Sequence, residues 1–115
     1  MLRGEIRLVN LEPARPGESN KTRPAIVVSN DAQNTRVAVS GVGSVTVVPI
    51  TSNTDRIYPF QVLLSANDSG LPVDSKAQAE QIRTVSITRV GNRVGVLGSD
   101  VMDHVDAALR LHLDL

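Results

Sequence analysis

The feature that most constrains the fold is a series of short apolar segments, each interrupted by turn-forming residues before it reaches helical length. Residues 5–9, 24–28, 45–50 and 60–64 are rich in Val, Ile and Leu. Short runs of these residue types, bounded by Pro, Gly, Asn and Ser, are typical of β-strands. The sequence therefore predicts a mainly β domain.

The residues between these runs predict where the chain turns. Turn-forming residues are concentrated at 29–34 and 67–70, and the Gly-Asn pair at 91–92 predicts a hairpin-like turn. Two glycines at 41 and 43 divide residues 37–50 into two predicted strands. Pro49 has no N–H to donate, so it marks a strand edge or a bulge. Residues 75–90 mix helix-tolerant and strand-favouring residues, and periodicity alone does not decide between them.

The last segment has the spacing of a helix. Ser99 is the predicted N-cap, and Asp100 and Asp103 place negative charge in the first turn, where the helix dipole favours it. The stripe predicted to face the core is Val101, Val105, Ala108, Leu109 and His112 or Leu113. Strands followed by a helix predict an α+β fold, a small antiparallel barrel or curled sheet with the helix packed on it. We expect one domain, residues 1–115.

Composition excludes several kinds of site. The absence of cysteine excludes disulfides and thiolate metal sites. The chain has no metal-binding spacing, and its two histidines, His104 and His112, lie on the predicted helix, where a solvated or core-edge role is expected. No apolar run is long enough for a membrane span or a secretory signal, so we expect a cytoplasmic protein.

The distribution of charge points to an anionic ligand. The chain has 12 basic and 12 acidic residues, but four of the acids lie in the last 16 residues, so residues 1–99 carry a net positive charge. Ten of the 12 bases are arginine, which binds phosphate bidentately. Tyr58 and Phe60 are the only aromatic residues, so a stacking platform for several bases is not available.

Three positions could carry chemistry, although each also has an ordinary structural interpretation. Arg23 follows a long predicted loop, residues 10–22, and precedes Pro24, which restricts it to extended geometry. Thr51 ends a predicted buried strand, and residues 80–83 read Glu-Gln-Ile-Arg. The ordinary alternative is a surface salt bridge for Arg23, strand hydrogen bonding for Thr51 and an exposed sheet face for residues 80–83.

Five ordered motifs together resemble a known family. They are residues 4–9 (GEIRLV), 23–30 (RPAIVVSN), 45–52 (VTVVPITS), 58–60 (YPF) and 80–84 (EQIRT). In this combination the chain resembles the MazF/PemK family of bacterial type II toxins, especially its mycobacterial branch, over almost its whole length. The resemblance implies an SH3-like, CcdB-like barrel with a C-terminal helix and a homodimer. It also implies sequence-specific cleavage of RNA and a cognate MazE-type antitoxin that blocks the RNA groove.

The resemblance also implies site residues. Arg23 matches the catalytic Arg of the Arg-Pro motif, and Thr51 matches the catalytic Thr after the Pro-Ile pair. Glu80 and Gln81 match the acid and amide that line the site, and Glu18 matches an acid in the first loop. The chain departs from the family pattern at one position of the first strand, because it carries Arg7 where the family usually has an aromatic side chain.

These residues suggest a reaction without metal or cofactor. The ribose 2′-hydroxyl lies next to the scissile phosphate and can serve as the nucleophile. Arg23 would stabilise the charge on the phosphate, Thr51 would donate a hydrogen bond to it, and Glu80, before Glu18, would accept the 2′-OH proton. The expected products are a 2′,3′-cyclic phosphate and a 5′-hydroxyl.

RNA binding is expected to use hydrogen bonds and charge. The substrate would be single-stranded mRNA, tRNA or rRNA, whose base edges are accessible. The residues expected to contact it are Ser52, Asn53, Arg56, Lys76, Gln81 and Arg83. Two alternatives stay open at this point: a CcdB-like toxin that binds DNA gyrase without catalysis, and a MazF-like protein that has lost activity, which Arg7 makes conceivable.

Overall fold

The computed structural model describes residues 1–11 and 22–115. Within these ranges seven strands are accompanied by three α-helices and two short 3₁₀ turns. The elements are β1 (Glu5–Asn10), β2 (Thr22–Val27), α1 (Asp31–Ser40), β3 (Ser44–Thr51), β4 (Gln61–Leu64), α2 (Ala66–Ser69), β5 (Ser75–Gln78), β6 (Arg83–Ser86), β7 (Val90–Val96) and α3 (Ser99–Leu113), with 3₁₀ turns at Ala79–Gln81 and Ile87–Arg89. The predicted α+β class with a C-terminal helix is confirmed.

The strands form one antiparallel sheet in the order β4-β5-β3-β2-β1-β7, and β6 pairs with the first half of β3. Among the described residues, β4 and β7 are the outer strands of this path and do not pair with each other, so the sheet is not closed into the predicted barrel. Strand β3 pairs with β2 along one edge. Along its other edge it pairs with β6 at Ser44–Val47 and with β5 at Ile50 and Thr51. Pro49 lies between these two ladders, as expected for a residue without an N–H.

The main core lies between the sheet and α3. Ile6, Ile26 and Ile50 are buried on the sheet side, and each contributes roughly 2 to 3 kcal/mol to stability. The helix residues buried against them are Met102, Val105, Ala108 and Leu109. Two details of the predicted helix are wrong: the N-cap is Gly98 rather than Ser99, and His112 and Leu113 are exposed because the buried stripe ends at Leu109.

Helix α1 replaces the turn predicted at 29–34 and the strand predicted to begin at residue 37. The Asn30 side chain caps the helix by accepting a hydrogen bond from the Gln33 N–H at 2.8 Å, and Gly41 ends it in the left-handed conformation at φ 71°. Of the two valines that favoured a strand, Val37 packs into a second small core while Val39 is 84% exposed. Local capping therefore outweighed β propensity.

In three further segments the structure either differs from the local prediction or decides what the sequence left open. Residues predicted as a turn at 67–70 form the short helix α2, capped by Ser65. The ambiguous stretch 75–90 contains β5 and β6. The predicted turn at 91–92 is wrong, because β7 continues through it: Gly91 is a site of close approach, where a Cβ atom would lie 3.1 Å from the Leu8 carbonyl oxygen.

Candidate functional site

The ends of β2 and β3 bring two of the predicted site residues together. Ala25 pairs with Pro49 in the antiparallel ladder between these strands. Arg23 lies two residues before Ala25 on β2, and Thr51 lies two residues after Pro49 on β3. Because the two strands are antiparallel, both residues stand at the same end of this strand pair.

A groove of about 360 Å³ opens at this end of the sheet. Its polar lining comes from Arg23, Thr51, Ser52 and Ser75, which lie on or next to β2, β3 and β5. The apolar lining consists of Leu8, Pro24, Ile50, Leu71, Pro72, Val73 and Val94. An apolar surface with a few convergent polar groups is the usual composition of a binding site. The structure thus brings together three of the predicted site residues.

Arg23 is the cation of this groove. It is exposed, and among the described residues it forms no ion pair. Its position on β2 is fixed by pairing with Val9 of β1, and Pro24 follows it directly. A guanidinium carries five N–H donors in a planar fork, which suits the oxygens of a phosphate. The arrangement can therefore bind an anion at the groove.

Thr51 presents its hydroxyl in a defined orientation. Its Oγ1 accepts a hydrogen bond from the backbone N–H of Asn53 at 3.3 Å. A hydroxyl that accepts from the backbone keeps its own hydrogen for another acceptor. The Asn53 side chain in turn accepts from the N–H of Asp55 at 3.1 Å. Asn53 therefore shapes the start of the loop after β3, and its role in reading bases stays a prediction.

Lys76, which the sequence offered as an RNA contact, is buried, and its role in RNA binding stays a prediction. It lies opposite Thr51 on β5, and its Nζ donates a hydrogen bond to the carbonyl oxygen of Arg56 at 2.7 Å. The ammonium thus holds the backbone of the loop that connects β3 to β4.

The loop held by Lys76 carries both aromatic residues of the chain. The rings of Tyr58 and Phe60 are stacked, with centroids 5.3 Å apart and an interplanar angle of 2°. The Arg56 guanidinium lies over the Tyr58 ring, 4.8 Å from its centroid. Arg56 and Tyr58 are both exposed. Arg56, Tyr58 and Phe60 thus form a short stack that is partly exposed to solvent.

Glu80 does not line the groove of the described chain. Its Oε2 accepts a hydrogen bond from Gln61 Nε2 at 2.6 Å, and its Oε1 is buried without a partner among the described residues. The amide oxygen of Gln61 accepts from the Tyr58 N–H at 3.1 Å. The carboxylate therefore orients an amide that supports the loop. The sequence did not single out Gln61, which reads as an ordinary polar residue at the start of a strand.

The remaining predicted site residues lie apart from the groove or outside the described residues. Gln81 is exposed in the 3₁₀ turn beside Glu80, and Arg83 is half-buried at the start of β6. Glu18 lies outside the described residues. The roles proposed for these three residues therefore stay predictions.

Arg7 has found a partner within its own strand. Its guanidinium donates to the buried carboxylate of Glu5 at 2.6 and 3.0 Å, and to the Gly91 carbonyl oxygen at 3.2 Å. Burial raises the pKa of Glu5, but hydrogen bonds from Arg7 and from the Leu2 N–H, with the positive charges of Arg7 and the N-terminus, hold that pKa below its usual value. A charged pair thus takes the place of an aromatic side chain on β1.

The histidines and acids show no clustering in the described ranges. His104 and His112 are exposed on α3, which agrees with a solvated role and not with the alternative in which His112 faces the core. No three His, Cys, Asp or Glu side chains within residues 1–11 and 22–115 come close enough to hold a metal ion together. Within the same ranges, no helix has the length and apolar character needed to cross a membrane.

Comparison with known proteins gives consistent matches. Residues 2–113 match the family described as PemK-like, MazF-like toxin of type II toxin-antitoxin system. The chain is 53% identical over 115 residues to endoribonuclease MazF9 of Mycobacterium tuberculosis, covering all of this chain and 98% of that protein. It is 32% identical over 114 residues to endoribonuclease EndoA of Bacillus subtilis, covering 98% of this chain and 94% of EndoA.

Solved structures give the same result. A mycobacterial endoribonuclease in complex with its cognate antitoxin superposes with a TM-score of 0.78 at 26% identity, covering 100% of this chain and 96% of that one. A MazE-MazF complex from Deinococcus radiodurans gives the same TM-score, identity and coverage. The open antiparallel sheet with its terminal helix is therefore similar to these toxins over its whole length.

Proposed function

Because this chain belongs to the family of PemK-like, MazF-like toxins of type II toxin-antitoxin systems, we propose that it cleaves single-stranded RNA at the groove between Arg23 and Thr51. The activity class is that of its relatives, endoribonuclease. The observation that carries the assignment to this groove is the convergence of two groups on one cavity: an oriented hydroxyl, and a guanidinium that forms no ion pair with any residue of 1–11 or 22–115.

The nucleophile is the 2′-hydroxyl of the RNA itself. Its oxygen attacks the adjacent phosphorus, and the bond from phosphorus to the 5′-oxygen breaks, which leaves a 2′,3′-cyclic phosphate and a 5′-hydroxyl. Arg23 binds the non-bridging oxygens, where negative charge accumulates in the transition state, and Thr51 donates a hydrogen bond to the same group. Arg23 is also the candidate for delivering a proton to the leaving 5′-oxygen.

A carboxylate is the better acceptor for the 2′-OH proton, because a guanidinium is a poor base. Glu80 is the first candidate and Glu18 the second. For Glu80 to serve, the ribose must lie between the groove and the 3₁₀ turn at Ala79–Gln81. We propose no metal or cofactor for this reaction, since the nucleophile is already held beside the phosphate.

A cognate antitoxin is the protein partner, in line with the toxin-antitoxin complexes among its structural relatives. We propose that the antitoxin is of the MazE type and places an extended acidic segment over Arg23, so that it competes with RNA. We also propose that the toxin acts as a homodimer in the cytoplasm. A chain of 115 residues with two aromatic residues gains stability by burying more apolar surface against a second copy.

The two alternatives are less well supported than the nuclease. A CcdB-like gyrase binder has no need of a phosphate-binding groove, and the matched relatives are endoribonucleases. Loss of activity was suggested by Arg7, but its charge is paired with Glu5 on the same strand. Neither the comparisons nor the Arg7 contacts favour an inactive protein.

The proposed activity is tested with the purified toxin, a long single-stranded RNA and excess EDTA, followed by mapping of 5′-hydroxyl ends. We expect cuts at one short sequence motif that persist in EDTA. A substrate with 2′-deoxyribose at the mapped site should resist cleavage. Cleavage of that substrate would exclude the 2′-hydroxyl mechanism, and binding of gyrase without any RNA cleavage would support the CcdB-like alternative.

A further inference from the structure

The stack on the loop after β3 has no role in the chemistry described so far. Tyr58 packs one face against Phe60, and Arg56 covers the ring at 4.8 Å. Arg56 is exposed and Tyr58 is 39% exposed, so this end of the stack faces solvent. An exposed aromatic ring offers a face on which an unpaired base can stack.

Hydrogen bonds to the backbone of Arg56 and Tyr58 hold the stack in place. Lys76 Nζ fixes the carbonyl oxygen of Arg56 at 2.7 Å. The Gln61 amide oxygen accepts from the Tyr58 N–H, and the Gln61 N–H donates to the Tyr58 carbonyl oxygen at 2.9 Å. Glu80 orients the Gln61 amide. The ring is therefore preorganised rather than carried on a free loop.

The same contacts place the stack near the groove that Arg23 and Thr51 line. Lys76 lies directly opposite Thr51 in the β3–β5 ladder, and its side chain reaches the Arg56 backbone. The stack is therefore about one lysine side chain away from the strand that carries the proposed catalytic hydroxyl. A single strand of RNA bound at Arg23 and Thr51 can bring a neighbouring nucleotide to this loop.

We propose that Tyr58 stacks one unpaired base of the bound RNA, in the place that Arg56 occupies in the free protein, and thereby helps determine which sequence is cut. This inference rests on the proposed RNA cleavage. Stacking of a base on an aromatic ring is stronger than an exposed cation–π contact, so the base displaces the guanidinium. Arg56, once released, is free to contact the adjacent phosphate.

The chain offers a direct readout, because Tyr58 is its one tyrosine and it has no tryptophan. Intrinsic fluorescence therefore reports on Tyr58. The protein is titrated with an RNA carrying the mapped cleavage motif and a 2′-deoxyribose at the cut site. We expect quenching that saturates with binding, and an abasic substitution at one nucleotide should remove the quenching. A parallel titration with the same RNA annealed to its complement corrects the fluorescence for light that the RNA absorbs.

Variants separate stacking from simple folding effects. Tyr58→Ala should weaken RNA binding about tenfold, whereas Tyr58→Phe should keep wild-type affinity. Arg36→Ala, on the exposed side of α1, is the matched control and should leave binding unchanged. The thermal unfolding midpoint of each variant identifies any loss of fold, and the fluorescence titration needs no variant at all.

The outcomes distinguish this inference from the proposed function. If the wild-type protein cleaves RNA at a defined motif but binds it without a change in Tyr58 fluorescence, stacking is excluded and the nuclease stands. If Tyr58→Ala binds as tightly as wild type, stacking is likewise excluded. If the wild-type protein cleaves no RNA, the proposed function itself fails.

Discussion

Arg23, near the start of β2, and Thr51, the last residue of β3, line the same groove of about 360 Å³ at one end of the sheet. A long, charged guanidinium and a short hydroxyl that line one groove can reach the same phosphodiester. The groove that both residues line gives that phosphodiester a place to bind.

Removing the guanidinium should affect cleavage far more than stability. Arg23 is exposed, and its loss leaves no buried group unpaired among the described residues. Arg23→Ala should slow single-turnover cleavage by about 10²- to 10³-fold, the usual cost of one donor to a developing oxyanion. Arg23→Lys should recover part of this, because an ammonium supplies charge without the planar fork. Rapid-quench assays at saturating protein measure the rate, and Arg36→Ala should behave as wild type.

The contribution of Thr51 should depend on its hydroxyl and not on its shape. Thr51→Val keeps the volume but removes the donor, and we expect a loss of at least tenfold in the cleavage rate. Thr51→Ser keeps the hydroxyl that accepts from the Asn53 N–H, so its rate should stay within a few-fold of wild type. Equal rates for the valine and serine variants would mean that the hydroxyl does not take part.

Much of the fold could be predicted from local patterns, and the failures have a common cause. The strands around Ile26, Ile50 and Leu64 follow from apolar runs between turn residues. Helix α1 was missed because its two capping residues, Asn30 and Gly41, were taken for turn residues. Likewise, Gly91 was interpreted as a turn, although it serves close contact between strands. Asn30 and Gly41 cap a helix through local hydrogen bonds, and Gly91 allows two strands to approach closely, so turn-forming residues here serve purposes other than turns.

The site could be predicted only in part. The motifs singled out Arg23 and Thr51, and the structure places both in the lining of one groove. Lys76 was expected to contact RNA, and its burial against the loop backbone is a feature that the sequence did not indicate. The support that Gln61 gives to the loop depends on two hydrogen bonds between distant segments. No sequence signal marks such a contact.

Stability should fall in acid partly because of Glu5. Its pKa is lower in the folded protein than the usual value of 4.5, so its contribution is complete above about pH 4.5 and is lost as the pH falls through the lowered pKa. Glu5→Gln should lower the free energy of unfolding at pH 7 by about 1 to 3 kcal/mol, since Arg7 loses its charged partner. Urea unfolding of both proteins at pH 7 and pH 3 measures the difference.

The difference in stability between the two proteins should shrink as the pH falls below 4.5 and through the lowered pKa of Glu5. A constant difference between them from pH 7 to pH 3 would contradict a role for the ionised Glu5–Arg7 pair. Glu5 is buried, so the pair is not screened as a surface ion pair would be.

The Gln61 amide should hold the loop that carries Tyr58. Gln61→Ala removes the acceptor for the Tyr58 N–H and leaves the partly buried Glu80 carboxylate without its hydrogen-bond donor. We expect a loss of about 1 to 3 kcal/mol in the free energy of unfolding. Tyr58 fluorescence should also become more accessible to acrylamide. Unchanged stability together with unchanged quenching by acrylamide would show that this network does not support the loop.

The most direct test of the account is a double-mutant cycle of single-turnover cleavage rates with Arg23→Ala, Thr51→Val and the combined variant. If both side chains act on one phosphate, each single variant slows cleavage, and the double variant is clearly faster than the product of the two effects predicts. Fully independent effects, or a single variant that cleaves at nearly the wild-type rate, would contradict a shared phosphodiester at this groove.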